Sequence, residues 1–461
     1  MELNRLSDVE DFRRTVNLPS NLDPAKDLGQ TVFKIPNWRV SIVLPMTNGD
    51  LHRIGGGRSS ISLYGDNLSN HFFVTEVEEF ARRYQVVYVF LRYGIGKSNH
   101  LEETKMLPNV TVIDLSVQGS VRAWKPLTFL RYVFRLLPWK KVLDLAIMKA
   151  AIVNAVIGWR TACQVWQSGL RSHVHLSFWG RSPEFLVALK NMNPEDVVGT
   201  RLHSFDLYFS LATKFQLSTR LKALNALDFV APISAHGENH LKSQGVTTLS
   251  RVSYLGCRAN EFVPEKKDRV SHAKSVNSLK VATVAMVAPW KRIAFTIDVV
   301  RQLKSAVIWH QYGRLSTDTE YVEMVKKKLR LPDSQQCHLE MKGEASNEEL
   351  RKALVHEKYD FVLLLSESEG VPVSLMEALA ADIRIVVTDT NGCSELVKNE
   401  IGCLIPVQAT VEECAKRIEQ WWDELSGTPH DGLALDFWKS KFDSAALYDD
   451  FAEFVDSILT K

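Results

Sequence analysis

The stretch "FVLLLSESEGVPVSLMEALAADIRIVVTD" (361–389) decides the fold of the second half of the chain. Its first five residues form an uninterrupted apolar run, which is typical of a strand buried on both faces. Pro372 suits the first position of a helix, and Val373, Met376 and Ala380 then give that helix an apolar stripe. A second apolar run follows at "IRIVV". Strand, helix and strand in this order predict two parallel strands joined by a crossover helix.

The same alternation of short apolar runs and amphipathic stretches fills most of the sequence, and it breaks once, in a charged segment without period at 258–278. We therefore predict an α/β protein with two doubly wound units. The predicted strands are 40–46, 85–91, 109–115, 173–179, 197–203, 228–234, 279–287, 305–313, 360–366 and 383–389. The predicted regions are an extension (1–35), a first domain (36–257), a linker (258–278), a second domain (279–430) and a helical tail (431–461).

Length and composition limit the class of protein. The 461 residues exceed one ordinary core, and 45% hydrophobic with 24% charged residues is typical of soluble globular proteins. A formal charge of +2 gives no overall attraction to nucleic acid. The six cysteines contain no Cys-x-x-Cys pair and no secretory signal is visible, which indicates reduced thiols in the cytoplasm. We expect no membrane-spanning helix, because the nearest candidate, 142–158, contains Asp144 and Lys149.

Two glutamates flank the helix start at Pro372. Glu369 lies in the loop before the helix, and Glu377 lies more than one turn inside it. A helix N-terminus attracts phosphate through its backbone N–H groups and its dipole. Carboxylates accept hydrogen bonds from sugar hydroxyls. For an isolated pair, an exposed helical glutamate beside a favourable N-terminal carboxylate is the more ordinary interpretation.

The longer pattern is more specific. "SESEGVPVSLMEALA" (366–380), followed by "RIVVTDTNGCSELV" (384–397), resembles the signature of glycosyltransferase family 4. These are retaining enzymes of the GT-B fold, in which two Rossmann-like domains face each other across a cleft. The resemblance implies that Glu369 contacts the donor sugar and that Glu377 holds the nucleotide ribose. It also implies that Gly370 and Val371 offer backbone groups to the diphosphate.

A basic pair follows the first strand of the second half. "VAPWKRIAFTIDVV" (287–300) places Lys291 and Arg292 at the start of a predicted helix, where cations oppose the helix dipole unless an anion is bound. Solvated side chains are the ordinary alternative. The resemblance places a diphosphate-binding lysine at Lys291, with Arg292 beside it. Because no convincing Asp-x-Asp motif appears, we expect no metal ion and no cofactor, and the two cations would balance the leaving diphosphate.

Four residues depart from the family pattern, among them Arg384, which replaces a customary proline. Met286 stands where many relatives carry a second phosphate-binding arginine, so Arg292 is expected to compensate. Asp382 and Asn391 each replace a customary glycine. Aspartate tolerates a left-handed turn. These departures leave open a non-catalytic partner that binds nucleotide sugar in a biosynthetic complex.

The first half carries weaker signals. "TRLHSFDLY" (200–208) and "SFWGRS" (177–182) resemble stretches of the colanic-acid and amylovoran type glycosyltransferases, which implies that His203 faces the sugar. A satisfied structural histidine is the ordinary alternative. The glycines of "GGGR" (55–58) permit close approach of backbone to a ligand. The residues expected to line the acceptor or sugar cleft are Gly56, Gly57, Trp179 and Arg201.

A basic and aromatic stretch, 121–160, begins the predicted helical insertion 121–170. It contains eight Lys or Arg residues against Asp144 alone, interleaved with aromatic side chains. Such a stretch suits an anionic membrane surface, whereas nothing else supports nucleic acid. The alternative is a helical insertion packed on the first domain with its basic side in water. The residues expected to dock are Trp124, Lys125, Arg131, Arg135, Trp139, Lys140 and Lys141.

These observations and the resemblance together predict a cytoplasmic, membrane-peripheral glycosyltransferase of surface polysaccharide synthesis. It would move a hexose or N-acetylhexosamine from a nucleotide sugar, such as a UDP- or GDP-sugar, to a lipid-linked glycan acceptor with retention of configuration. A nucleotide-sugar epimerase of similar two-domain build is a second alternative, which would need no acceptor.

Overall fold

The computed structural model describes residues 32–35, 38–41, 58–66, 71–93, 107, 109–116, 126–139, 143–208, 214–258, 278–331, 337–425 and 432–459. The chain divides into two compact units. The first unit takes the chain up to Ala231, together with Leu241–Arg251 and Tyr448–Lys461. The second unit takes Pro232–His240 and Val252–Leu447.

The first unit is built on a nine-stranded sheet of order β1-β2-β5-β4-β3-β6-β7-β8-β9. Strands β3 to β6 pair in parallel, as do β6 with β7 and β8 with β9, whereas β1 and β2 form an antiparallel edge. The order reverses between β3 and β6, which makes this point the topological switch of the sheet. The strands are β1 (Val32–Ile35), β2 (Trp38–Ser41), β3 (Arg58–Gly65), β4 (Tyr84–Leu91), β5 (Val110–Asp114), β6 (Val174–Ser177), β7 (Val197–Leu202), β8 (Phe229–Pro232) and β9 (Leu249–Ser250).

Helices lie between these strands, as the alternation of patterns predicted. The central strand β3 was not predicted, because serines interrupt its apolar residues in "RSSISLYG". The helices are α1 (His71–Ala81), α2 (Pro126–Leu136), α3 (Leu145–Gln167), α4 (Glu184–Met192), α5 (Ser204–Leu207), α6 (Lys214–Leu224) and α7 (Ala235–Ser243).

The second unit has a six-stranded, fully parallel sheet of order β12-β11-β10-β13-β14-β15. Counted from β10, this is the strand order of a dinucleotide-binding Rossmann sheet. The order reverses between β10 and β13, the strands that precede the basic pair and the glutamate motif. The strands are β10 (Ser278–Val284), β11 (Ala306–Tyr312), β12 (Cys337–Gly343), β13 (Phe361–Leu364), β14 (Arg384–Asp389) and β15 (Gly402–Pro406).

Helices cover both faces of this sheet, which is why its central strands are apolar throughout. Two short 3₁₀ helices, Pro289–Lys291 and Asn391–Leu396, lie in loops after β10 and β14. The α-helices are α8 (Ile293–Gln302), α9 (Thr319–Leu329), α10 (Asn347–His356), α11 (Val373–Ala380), α12 (Val411–Glu424), α13 (Leu433–Lys441) and α14 (Ser444–Leu459).

The predicted tail, 431–461, is helical but is not a separate region. Helix α13 belongs to the second unit, where Leu435 and Trp438 are buried in the core cluster that contains α11. From Tyr448 onward, α14 belongs to the first unit. There the ring of Phe451 packs edge-on against Phe229 of β8. Burial of these aromatic side chains divides the tail between the two units.

Helices α2 and α3 form the predicted insertion. They pack on the first unit through small and aromatic side chains, such as Ala151, Ala155 and Trp159, all of which are buried. One helix in the described part of the chain, α3, is long and apolar enough to cross a membrane, although a third of its apolar window is buried in the protein. The expectation of no membrane-spanning helix stays a prediction, because α3 meets this criterion by length and composition only.

Candidate active site

The two signature loops of the second unit meet at the switch point of its sheet. Lys291 follows β10, and its Nζ lies 2.5 Å from Oε1 of Glu369, which follows β13. The backbone N–H of Glu367 donates to the carbonyl of Trp290 at 2.8 Å, so main chain also joins the loops. Side chains 78 residues apart are thus brought together at the carboxyl ends of adjacent parallel strands, where such sheets bind ligands.

Backbone amides are available beside this ion pair. Within the described residues, the amides of Gly370 and Val371 donate to no protein group. They precede α11, which starts at Val373 with Pro372 as its N-cap, one residue later than predicted. Unpaired amides at the positive end of a helix dipole are suited to an anion. Glu377 lies on α11 and is half-buried.

Asn391 secures this loop from the other side. Its backbone is left-handed, with φ of 49°. Its amide Nδ2 donates to the carbonyl of Glu369 at 2.7 Å and to Oγ of Ser368 at 3.2 Å. The next residue, Gly392, donates its N–H to the carbonyl of Gly370, and a Cβ there would lie 2.8 Å from that oxygen. The departure at Asn391 therefore adds two hydrogen bonds to the glutamate loop.

The departure at Asp382 is also accommodated. Asp382 has φ of 60°, the left-handed turn that its residue type tolerates. Its carboxylate accepts hydrogen bonds from the backbone N–H groups of Gly432 and Leu435 at 2.7 and 3.2 Å. These contacts satisfy the start of α13.

Arg292 was expected to compensate for the arginine that Met286 replaces, and its contacts do not agree with that role. Its Nη1 donates to the carbonyl of Val407 at 2.8 Å, and its guanidinium lies 4.0 Å from the ring centroid of Phe295. Since φ of Arg292 is 52°, the chain turns sharply here and the two basic side chains diverge. Lys291 points to Glu369, whereas Arg292 is engaged near the end of β15. It does not compensate for Met286 in this structure.

Glu395 was not predicted as a functional residue. Its two carboxylate oxygens accept hydrogen bonds from the N–H groups of Ala235 and His236 at 3.0 and 2.9 Å, and from the hydroxyl of Tyr254. It thereby caps the start of α7. Its place in "SELV" inside the family signature was the one available signal.

In the first unit, His203 directly follows β7 and is buried, with 6% of its surface exposed. Its ring lies 4.5 Å from that of Phe178 and 4.4 Å from that of Trp179. Nε2 lies 2.8 Å from the carbonyl of Phe178, which can only accept, so Nε2 carries the proton. Burial, and then the charge of Arg201, lower the pKa of His203 to about 3. The imidazole is therefore neutral, and its catalytic role stays a prediction.

Trp179 lies in the loop after β6, as predicted, and is half-buried. Asp206 of α5 fixes this loop by accepting a hydrogen bond from the N–H of Gly180 at 3.0 Å, and Arg220 donates to the carbonyl of Gly180 at 3.0 Å. Burial raises the pKa of Asp206 to about 6, against the opposing effect of Arg220.

The expectation that Arg201 lines a cleft was wrong. Its side chain is fully buried and forms an ion pair with the carboxylate of Glu76. The guanidinium lies 4.6 Å from the ring centroid of Phe451 and 5.1 Å from that of Tyr448. Tyr448 also donates a hydrogen bond to Glu76 at 3.1 Å. Arg201 holds α14 and α1 within the core, since a buried charge requires a partner.

Several predicted residues lie outside the described part of the chain: Gly56, Gly57, Trp124, Lys125, Lys140 and Lys141. Of the predicted docking residues, Arg131, Arg135 and Trp139 are described, and all three are exposed. Among the described residues, no group of three or more His, Cys, Asp or Glu side chains could hold a metal ion.

Comparison with known families identifies part of the chain. Residues 264–426 match the family Glycosyl transferases group 1. The matched residues all lie within the second unit. The putative colanic acid biosynthesis glycosyltransferase WcaL of Salmonella typhimurium is 30% identical over 216 residues, which are 45% of this chain and 49% of that protein. The chain thus spans about half the length of this relative.

Solved structures share the fold. Anabaena Alr3699/HepE in complex with UDP and glucose gives a TM-score of 0.64 at 16% identity, covering 86% of this chain and 99% of that one. Sucrose-phosphate synthase from Thermosynechococcus elongatus gives 0.62 at 14% identity, covering 87% and 100%. The two-domain α/β fold of GT-B type, predicted from the glutamate signature, is confirmed.

Proposed function

We propose that this protein is a glycosyltransferase that moves a hexose or N-acetylhexosamine from a nucleotide sugar to a glycan acceptor. The observation that carries the proposal is the contact of Lys291 with Glu369 at the switch point of the Rossmann sheet, beside the unpaired amides of Gly370 and Val371. A cation and helix N-terminal amides bind a diphosphate, and a carboxylate binds sugar hydroxyls.

The roles follow from these positions. Lys291 and the two amides take the negative charge that develops on the leaving diphosphate. Glu369 holds the donor sugar and orients Lys291, and Glu377 takes the ribose hydroxyls. Arg292 has no part in this scheme, because its guanidinium is engaged with the carbonyl of Val407.

The resemblance to family 4 supports retention of configuration by front-face attack. The bond between the anomeric carbon and the phosphate oxygen breaks, and the acceptor oxygen bonds to the same face of that carbon. The proton of the acceptor hydroxyl passes to the departing phosphate oxygen. Neutral His203 is placed in this scheme as an acceptor, through Nδ1, of a hydrogen bond from a sugar hydroxyl. No metal ion or cofactor is required.

The two glutamates provide the test. Glu377→Gln is expected to weaken binding of the free nucleotide, because it alters the ribose contact. Glu369→Gln is expected to leave nucleotide binding nearly intact while reducing transfer. Thermal shifts with UDP-, GDP-, ADP- and dTDP-sugars measure binding, and transfer to a glycan acceptor measures activity. If both variants behave alike in both assays, the division of roles fails. Turnover of nucleotide sugar without an acceptor would favour the epimerase.

We further propose that α2 and α3 dock the first unit on an anionic membrane surface that presents a lipid-linked acceptor. On α2, Leu127, Leu130 and Phe134 share an exposed face, with exposures of 81, 60 and 66%. On α3, a stripe at Ile152, Val153, Val156 and Ile157 is exposed as well. These apolar stripes are bordered by exposed basic residues, namely Arg131, Arg135, Lys149 and Arg160. Asp144 is the one acidic residue from 121 to 170.

This arrangement is typical of an interfacial helix pair rather than a spanning segment. Burial of the apolar side chains contributes a salt-insensitive part of the binding, and each basic residue near the surface contributes about 1 kcal/mol. The opposite face of α3 packs against the protein through Ala151, Ala155 and Trp159, which keeps the helix on the surface of the unit.

Vesicle sedimentation tests the docking. Arg131→Glu/Arg135→Glu is expected to lose binding to vesicles that contain phosphatidylglycerol, and Leu130→Ser/Phe134→Ser to weaken it at all salt concentrations. Lys327→Glu/Arg330→Glu makes the same charge change at exposed positions in and directly after the last turn of α9 and should bind like the wild type. Nucleotide binding should be unchanged in all three. Equal sedimentation of every variant would refute the docking.

A further inference from the structure

A second ligand site is visible in the first unit, at the switch point of its own sheet. A cavity of about 330 Å³ opens at the carboxyl ends of β3, β4 and β6. Its volume lies at the lower end of the range of about 300–1,000 Å³ that small-molecule pockets have. We propose that this cavity binds the phosphate and the first sugar ring of a glycosyl phosphate, the acceptor's anionic end. The inference rests on the proposed function in that it names the acceptor class.

Two guanidinium groups converge on the cavity. Arg92 follows β4, and its Cζ lies 5.3 Å from the ring centroid of Phe185. Arg181 follows β6, and its Cζ lies 4.9 Å from the ring of Trp179. A cation–π contact with an aromatic ring restrains each guanidinium before a ligand arrives, which lowers the ordering cost of binding. Paired, pre-oriented guanidinium groups are suited to a phosphate.

Two carboxylates, Asp66 at the rim of the cavity and the buried Asp206, lie within ion-pair distance of Arg181. Among the described lining residues, Asp66 is the one acid, against Arg92 and Arg181. Nη1 of Arg181 is 3.9 Å from Oδ2 of Asp66, a distance that leaves the guanidinium accessible to a second oxygen ligand. The side chain of Arg181 is 44% exposed. A carboxylate at the rim also accepts hydrogen bonds from sugar hydroxyls, as proposed for the second unit.

The remaining lining suits a sugar ring. Trp179 and Tyr93 present aromatic faces, and Asn154, Ser177 and Ser182 provide hydrogen-bonding groups of both kinds. Rigid aromatic side chains with a few polar groups are the usual composition of a small-molecule pocket. The loop that carries Trp179 is fixed from behind by the buried carboxylate of Asp206.

One wall of the cavity is α3, the helix that carries the exposed apolar stripe. Asn154 and Thr161 face the cavity, whereas Val153, Val156 and Ile157 are exposed on the same helix. A phosphate in the cavity would therefore lie near the level of a membrane on which α3 rests. A lipid-borne glycosyl phosphate and a soluble sugar phosphate share the recognised chemistry, and the experiment separates them.

The test uses the full chain with UDP at saturation, so that the nucleotide site is occupied. Calorimetry with a soluble hexose 1-phosphate is compared with the matching methyl hexoside, which lacks the phosphate. We expect the phosphate compound to bind at least about tenfold more tightly, and Arg92→Gln to lose that difference. Arg171→Gln is the matched control, because Arg171 is also stacked, 4.2 Å from the ring of Trp166, but does not line the cavity.

Arg181→Gln is a second variant, read together with its unfolding temperature because Arg181 also lies 3.8 Å from the buried carboxylate of Asp206. Phosphatidylcholine vesicles with and without polyprenyl phosphate hexose show whether the bound glycosyl phosphate is carried by a lipid or is soluble. Tighter binding to the loaded vesicles than to hexose 1-phosphate identifies the lipid-borne form, and equal affinity identifies the soluble one. In either case, Arg92→Gln must also lose the tighter binding of the phosphate compound.

Wild-type affinity for hexose 1-phosphate in a folded Arg92→Gln variant overturns the inference. So does an equal affinity of the wild type for the methyl hexoside. Failure of the proposed function looks different, since the protein would then transfer no sugar and bind no nucleotide sugar while the dependence on Arg92 persisted. If the enzyme is active and Arg92→Gln leaves its KM for the acceptor unchanged, only the assignment of the cavity fails and the proposed function stands.

Discussion

The two units share a strand order but differ in how their sites are encoded. In both sheets the order reverses between the first and fourth strands of the doubly wound core, β3 and β6 in one and β10 and β13 in the other. In the second unit, the residues at this point come from two contiguous motifs. In the first unit, the cavity is lined by residues at the ends of four strands, β3 to β6, and by residues of α3 and α4, which are spread from Tyr64 to Phe185.

This difference decides which site residues can be predicted from the sequence and which cannot. A contiguous motif fixes the positions of Lys291 and Glu369 relative to their strand ends, and parallel pairing then brings them together. In the first unit, Arg201 and His203 stand one residue apart yet differ in their surroundings. Arg201 forms a buried ion pair with Glu76, whereas His203 packs beneath Trp179.

The largest effect is expected at Arg201, whose substitution tests whether this residue is structural, unlike the motif residues of the second unit. Arg201→Ala should cost about 3–5 kcal/mol of unfolding free energy, because it leaves the buried charge of Glu76 without its partner. The double variant Glu76→Gln/Arg201→Met removes both charges and should recover much of that loss. Denaturant titration measures both. A stable Arg201→Ala protein with a raised acceptor KM would instead restore Arg201 to an acceptor site.

Lys291 and Arg292 are neighbours in one motif, and their variants test whether one or both of them bind the diphosphate. Lys291→Ala should weaken binding of a nucleoside diphosphate by about 10–100-fold, which corresponds to a charge-assisted hydrogen bond of about 1.5–3 kcal/mol. The nucleoside alone should bind as before. Arg292→Ala is the matched control, because the guanidinium of Arg292 is engaged with Val407. Equal losses of diphosphate affinity in both variants would show that both cations bind phosphate.

The type of fold could be predicted from the sequence more completely than the set of residues that forms each site. Apolar runs revealed most strands, whereas β1, β3, β9, β12 and β15 were not predicted. Serines interrupt β3, and β12, "CHLEMKG", is an edge strand, which tolerates polar residues. Glu369 and Lys291 lie after β13 and β10, at the strand ends where their motifs put them, and their roles stay predictions. The direction of the Arg292 side chain depends on a left-handed backbone and on a carbonyl 115 residues away, and no local pattern carries that information.

Asn391 shows how a departure from the family pattern can support the site. Asn391→Gly keeps the left-handed backbone and loses only the hydrogen bonds to Glu369 and Ser368. Asn391→Ala loses the same bonds and must also adopt φ near 49°, which costs an L-residue about 1–2 kcal/mol more than glycine. Thermal unfolding of the two variants isolates this backbone term. Equal stability would mean that the loop rearranges.

The smallest effect, and the one that probes the first unit most closely, is a pH dependence at His203. Its folded pKa of about 3 lies below the value of about 6.5 expected in the unfolded chain. The unfolded state therefore binds more protons between these values, and the contribution of His203 to stability is full above pH 6.5 and declines as the pH falls. Asp206 acts in the opposite sense, since its pKa of about 6 exceeds its unfolded value, and its contribution declines as the pH rises from about 4 to 6.

Because the two groups oppose each other, the wild type alone would reveal little, and the comparison with His203→Gln is the informative measurement. The difference in unfolding free energy between wild type and His203→Gln should shift in favour of the variant as the pH falls from 6.5 to 4.5, by at most about 1.4 kcal/mol per pH unit. Guanidinium titrations at several pH values measure it. A constant difference would mean that His203 takes up protons alike in the folded and unfolded states, which would refute the lowered pKa that keeps the buried imidazole neutral below pH 6.5.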